Sequence, residues 1–394
     1  MKRKLLLALG ILFVLWGCEN KINSNDNVNT HDLMHESSPR ENIDEGTGKT
    51  IYQLTSGEVE VRHTYYDMSP WSPDDSKIVF AAAKPGAEYG SVYIMDDNGE
   101  NIKLVADDAT FSAHHGARTF WGTDGTKVYY QSKSGNTTDE GYSIQMVDVN
   151  TLEKREIVNS KLGNLSYTGG LMLSPDGRNI AFNGKDRNEE WGIYIVGADG
   201  KNLKKIVSLE EVRALSPSPE ELKGTESFLM HAKWNPDSES LFFVHSNELD
   251  VKPPTVKELY YITVDGSEVS FIADFGHHPT WHPDGEHIIF YDWLNEMYKD
   301  QRLFIVNKNG NDRRILIDKQ DGGIHASYNP QGTMIITDAY YKEGIFLLTP
   351  QTNSMKKIAT VKIQNHSHSG THMHPAWNRA GNKSHARQSH RSIH

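Results

Sequence analysis

Four histidines hold the same place in a repeated pattern, and that placement frames the chemistry open to this chain. His231, His278, His325 and His374 each stand five residues before a turn, at positions 236, 283, 330 and 379. His372 precedes His374 by two residues, so in an extended strand both side chains point to one face. Neutral imidazoles converging from equivalent positions suit a divalent transition metal. Any one such histidine reads most simply as packing against its neighbour; four in register, with His372, favour metal binding or catalysis. Weaker candidates face the same region: His63 before the first turn, His114, His115 and Arg118 before the second, and His366 and His368 ahead of the last cluster.

The elements that must position these residues follow from an internal repeat. Pro70-Trp71-Ser72-Pro73-Asp74 ahead of Ile78-Val79-Phe80 recurs as Trp121-Gly122-Thr123-Asp124-Gly125, Leu173-Ser174-Pro175-Asp176-Gly177, Trp234-Asn235-Pro236-Asp237, Trp281-His282-Pro283-Asp284-Gly285, Tyr328-Asn329-Pro330-Gln331-Gly332 and Trp377-Asn378-Arg379-Ala380-Gly381. The turn falls at 73, 123, 175, 236, 283, 330 and 379, giving spacings of 50, 52, 61, 47, 47 and 49 residues. Proline presets φ and Asp-Gly supplies hairpin turn chemistry. Second hairpins lie between these turns, such as Val92-Tyr93-Ile94-Met95 with Asp97-Asn98-Gly99, so each repeat encodes four strands. Four-stranded repeats of this length predict an all-β, seven-bladed β-propeller, with the first strand of each blade lining a central channel. A linear β-solenoid is the alternative, but its repeats are usually shorter. The longest interval holds a helical pattern around Leu209–Leu222.

The ends are read separately. Met1-Lys2-Arg3-Lys4 followed by an apolar run to Trp16 predicts a signal peptide over residues 1–18, ending in a lipobox-like Leu15-Trp16-Gly17-Cys18. Cys18 is the expected lipidation site and the one cysteine in the sequence, so neither an intrachain disulfide nor a cysteine metal cluster can form. An ordinary secretory signal with an incidental cysteine is the alternative. Residues 19–48, polar and poor in apolar groups, read as a disordered tether, with the propeller spanning 49–383. Lys49-Thr50-Ile51-Tyr52-Gln53-Leu54 reads as an outer strand lent to the last blade, and 384–394 as an irregular tail leaving that blade incomplete. The expected location is the cell envelope, held by the lipid alone and facing the periplasm or outer membrane.

Net charge and motifs exclude several functions. A formal charge of −11 argues against nucleic acid or an anionic membrane as partner, and an acidic ligand needs a local cationic site. The sequence has no Gly-rich phosphate loop, no Gly-x-Ser-x-Gly elbow and no His-Glu-x-x-His helix.

His63-Thr64-Tyr65-Tyr66, Leu229-Met230-His231, Gly276-His277-His278-Pro279-Thr280-Trp281 and Thr371-His372-Met373-His374-Pro375 resemble segments of the oligogalacturonate lyase family of polysaccharide lyases. The resemblance spans most of 49–383 and implies a seven-bladed propeller holding a metal, manganese above all. It makes His278, His372 and His374 metal ligands, and His231 the base that takes the C5 proton of a uronate in a short acidic oligosaccharide. His63, His114, His115, Arg118 and His325 are then substrate-binding candidates. Two positions depart from the family pattern. Ser369 stands where the family has a glutamine ligand, and the segment around Trp191-Gly192-Ile193-Tyr194 lacks the family's arginine. The Ser-Pro-Asp-Gly turns equally resemble the propeller of the Tol-system periplasmic protein, which implies a non-catalytic docking module for protein or glycan. A third alternative, an ulvan-type lyase, rests on His114 or His115.

Overall fold

The repeats fold as β-sheets, and a computed structural model describes residues 39–386 apart from 57–58, 113–115, 134–141, 160–164, 248–254, 293–300, 321–322, 340–343 and 362–372. Four sheets have four antiparallel strands each, taken in sequence order, and cover units three to six. Units one and two have the same internal order and join into one larger sheet through the single pairing Ala109↔Ser132. The protein is thus an all-β propeller, with six full units among the described residues.

Apolar periodicity explains how the units stack. The second strand of unit four, Ser240–Asn247, is buried along its whole length, because both of its faces are covered. Alternate residues serve opposite neighbours. Leu241 and Phe243 pack with Ala181 and Ile193 of unit three, while Phe242 and Val244 pack with Ile288 and Phe290 of unit five. The core is therefore a series of layers between blades.

Two ladders of contacts run round the ring. The Trp121 indole N–H donates to Pro70 O at 3.0 Å, Trp234 to Met172 O at 3.0 Å, Trp281 to Lys233 O at 3.1 Å and Trp377 to Ser327 O at 3.2 Å, each reaching the preceding unit. The turns also meet in order: Ser238 Oγ accepts from Asp176 N, Asn235 donates to Gly285 O and Gln331 donates to Ala380 O. The last turn closes on the first, where Asp75 accepts from Asn378 Nδ2 at 2.8 Å, Arg379 N at 2.7 Å and Ala380 N at 2.8 Å. Replacing Asp75 by alanine is expected to cost about 1–3 kcal/mol, read as a lower urea midpoint; an unchanged midpoint would mean that these bonds do not hold the seam.

The seam sector is built from both ends of the chain. Ala376–Trp377 pairs with Ser384–His385, and Arg40–Ile43 pairs with Thr50–Gln53. No pairing joins these two hairpins among the described residues. Two boundaries therefore move. The tether drawn over 19–48 gives way to a strand at Arg40–Ile43, and the irregular tail drawn over 384–394 opens with a strand. In both places a paired partner overrides a polar composition. Asp44 anchors the N-terminal hairpin on unit six by accepting from Thr360 N at 2.7 Å.

The helical pattern of the long repeat is realised only over Leu209–Leu215, where Ser208 and Glu211 form a capping box. It stops because Ser216 precedes Pro217, and a residue before proline is forced out of the α region; Ser216 is extended, with φ −62° and ψ 131°.

Candidate active site at the propeller axis

The first strands of the units carry a shared irregularity that aims side chains at the axis. In unit four the ladder slips between Met230 and Lys233, in unit five between His277 and Thr280, and in unit six between Gly323 and Ala326. Such bulges re-aim a side chain out of the sheet's alternation. At the slip His231 has φ 53° and His278 φ 47°, with His374 at 44° in the last unit. Left-handed backbone is uncommon for a side chain other than glycine and clusters at functional sites. Arg118 has φ 49° and Gly170 φ 56°, each again five residues before its turn. Arg118 therefore belongs to the same ring as the histidines.

Tyr65 is the hub of this ring. Its centroid lies 6.1 Å from His231 in a stacked arrangement, 6.3 Å from His278, 6.0 Å from His325 and 4.6 Å from His374. Neighbouring imidazoles follow one another at 5.7 Å for His231–His278, 4.6 Å for His278–His325 and 4.2 Å for His325–His374. His325 is held by a carboxylate: Asp338 meets its Nδ1 at 2.7 Å and accepts from its backbone N–H at 3.0 Å. Such a bond fixes ring orientation and raises basicity.

Beneath the ring lies a buried cluster. Lys233 Nζ donates to the Tyr66 hydroxyl at 3.1 Å and touches the Asp67 carboxylate, and that hydroxyl donates to Pro279 O of unit five at 3.2 Å. Burial pushes the Lys233 amine well below its ordinary range, against the pull of the carboxylate it touches.

Burial likewise keeps His231 and His278 uncharged. His231 is pushed down to about 3, by desolvation first and then by the positive charges of Lys257 and Arg118 and by His325. His278 is also held well below its ordinary value, chiefly by desolvation. Away from the axis, His385 is pushed down to about 4 by burial. The ordinary imidazole value is about 6.5. Between these folded values and about 6.5 the unfolded chain binds protons that the native one does not, so stability is full above about 6.5 and falls as pH drops. We expect the urea midpoint to fall steadily from about pH 7 to about pH 5, with a shallower slope in His231→Gln. A flat profile would contradict neutral buried imidazoles.

The structure brings together His231, His278, His325 and His374, with Arg118 beside them. His63 lies edge-on to His385, with centroids 4.8 Å apart. His114, His115, His372 and Cys18 lie outside the described residues, as do His366, His368 and Ser369. Converging imidazoles, one of them oriented by a carboxylate, have the chemistry of divalent-metal ligands. Among the described residues no three His, Cys, Asp or Glu side chains already meet as a ligand set. Sequence reasoning missed Asp338, Lys233, Asp67 and Lys257. The signal for Asp338 was a carboxylate within the apolar strand Ile335–Ala339, and for Lys233 a lysine just before a buried tryptophan.

No protein-family model and no curated protein matches the sequence. Among solved structures, an oligogalacturonate lyase in complex with manganese is 16% identical, with a TM-score of 0.70 over 89% of this chain and 93% of that one. An oligogalacturonate lyase from Vibrio parahaemolyticus is 15% identical, with a TM-score of 0.68 over the same shares. TolB from Acinetobacter baumannii is 18% identical, covers 71% of this chain and 63% of that one, and has a TM-score of 0.45. The chain is thus similar in fold, over nearly its whole length, to the oligogalacturonate lyases that its sequence resembles.

Proposed function

We propose that this protein is a metal-dependent lyase that cleaves short uronate-containing oligosaccharides by β-elimination, held in the cell envelope by a lipid on Cys18. One observation carries the reading: four imidazoles from four consecutive repeats, and Arg118 from another, share one register and face one axis. A docking module has no need of this convergence.

His231 takes the proton from C5 of the uronate. The C4–O bond breaks, a C4–C5 double bond forms, and the departing oxygen is protonated. Burial supplies the neutral imidazole that a base requires, although a value near 3 makes a weak one. Substrate offsets part of this: desolvation is the larger cause, but Lys257 and Arg118 also depress His231 through their charge, and a uronate carboxylate beside them cancels that share. His278 and His374, with His372, are the residues to hold the metal, and His325 faces them with its ring fixed by Asp338. A divalent cation such as manganese, held there, would supply charge stabilisation for the enolate-like state.

Purified protein given digalacturonate and manganese is expected to produce the ultraviolet absorbance of an unsaturated uronate, and chelator to abolish it. Metal binding without product would point to another acidic glycan. Neither binding nor product would point to the docking module.

A further inference from the structure

Lysine and aspartate are seldom buried together unless something is gained by it, since desolvating both charges offsets most of their attraction. Lys233 and Asp67 are 5% and 7% exposed at their side chains, and β-elimination uses neither. They also join distant parts of the chain. Lys233 is the penultimate residue of the first strand of unit four, while Asp67 follows Tyr65-Tyr66 at a tight turn in which Met68 N donates to Tyr65 O and Thr64 Oγ1 donates to Met68 O. The ammonium lies 4.4 Å from the Tyr66 ring centroid and 5.7 Å from that of Tyr65, besides its bond to the Tyr66 hydroxyl. His231 and Lys233, two residues apart on one bulged strand, thus address the same tyrosine, Tyr65, one by stacking and one by its amine over the ring. Tyr66 in turn meets His278 at 5.5 Å and His325 at 4.9 Å.

We infer that Asp67 and Lys233 are positioning residues: together they clamp the Tyr65-Tyr66 turn of unit one into the axis, and that wedge sets the spacing and orientation of the four imidazoles. The placement of the rings stands on its own; only its catalytic consequence rests on the lyase reading. Without the clamp the wedge can swing, and the histidines of units four to seven lose the surface against which they are ordered. A misplacement of about 1 Å in a reacting group can cost about 100-fold in rate.

The test uses the full chain with histidines labelled at Cε1. In the wild type, the ring currents of Tyr65 and Tyr66 displace the resonances of His231, His278, His325 and His374 from those of exposed histidines. Lys233→Met is expected to move all four toward the exposed position while circular dichroism is unchanged, and to lower kcat about 100-fold with KM little changed. Asp67→Leu combined with Lys233→Met is expected to restore the thermal midpoint but not the resonances, since neither residue can bond the Tyr66 hydroxyl. Should the charge variants fail to fold, Tyr66→Phe decides: it keeps the ring and removes only the clamped oxygen, and the resonances of His278, His325 and His374 should shift. Moved resonances in a protein without lyase activity would sink the lyase reading and leave the clamp standing. Unmoved resonances in a folded Lys233→Met, or in Tyr66→Phe, would overturn the clamp whatever the activity.

Discussion

Replacing His231 by alanine is expected to lower kcat on digalacturonate by about 100- to 10,000-fold, the usual contribution of a general base. Manganese affinity should be unchanged, because the metal is assigned to His278, His372 and His374. The substitution also removes a residue with left-handed backbone, φ 53°. Alanine there keeps the strain and loses the ring, so a glycine variant is the useful companion. If His231→Gly regains part of its rate with added imidazole, the loss is chemical rather than conformational. Equal losses of kcat and metal affinity would instead make His231 a ligand.

The second large effect concerns the ring of tryptophans. Trp234 is 2% exposed in the layer between units three and four, and its indole N–H donates to Met172 O at 3.0 Å. Trp234→Ala should cost about 3–5 kcal/mol, the range for emptying a large aromatic site. Trp234→Phe keeps most of the packing and strands a carbonyl, so about 1 kcal/mol is expected. Trp71 holds the equivalent position in unit one and is 3% exposed, yet among the described residues its indole nitrogen has no hydrogen-bond partner. Trp71→Phe is therefore expected to be neutral or slightly stabilising. Urea midpoints of the three variants check this, and a Trp71→Phe loss matching that of Trp234→Phe would show that the seam is closed like the other joints.

That contrast also marks how far the sequence was legible. The turn chemistry of Pro73, Pro175, Pro236 and Pro283 set the period, and the period set the fold, because proline and Asp-Gly act locally. The register of His231, His278, His325 and His374 followed from the same counting. What escaped was whatever depends on contacts across the axis. Tyr65 has no role assigned to it until the ring closes, and Asp67 and Lys233 are 166 residues apart in the chain. The extent of the N-terminal strands escaped for the same reason: Arg40–Ile43 has a polar composition and forms a strand only because Thr50–Gln53 lies beside it. The contact between His63 and His385 was likewise invisible, because it joins the first and last repeats.

The most direct test of the account is the mass of the products formed from digalacturonate. Elimination adds no water, so the account predicts products whose masses sum to that of the substrate, one of them unsaturated. Two saturated products whose masses sum to that of the substrate plus one water would show hydrolysis and would contradict it.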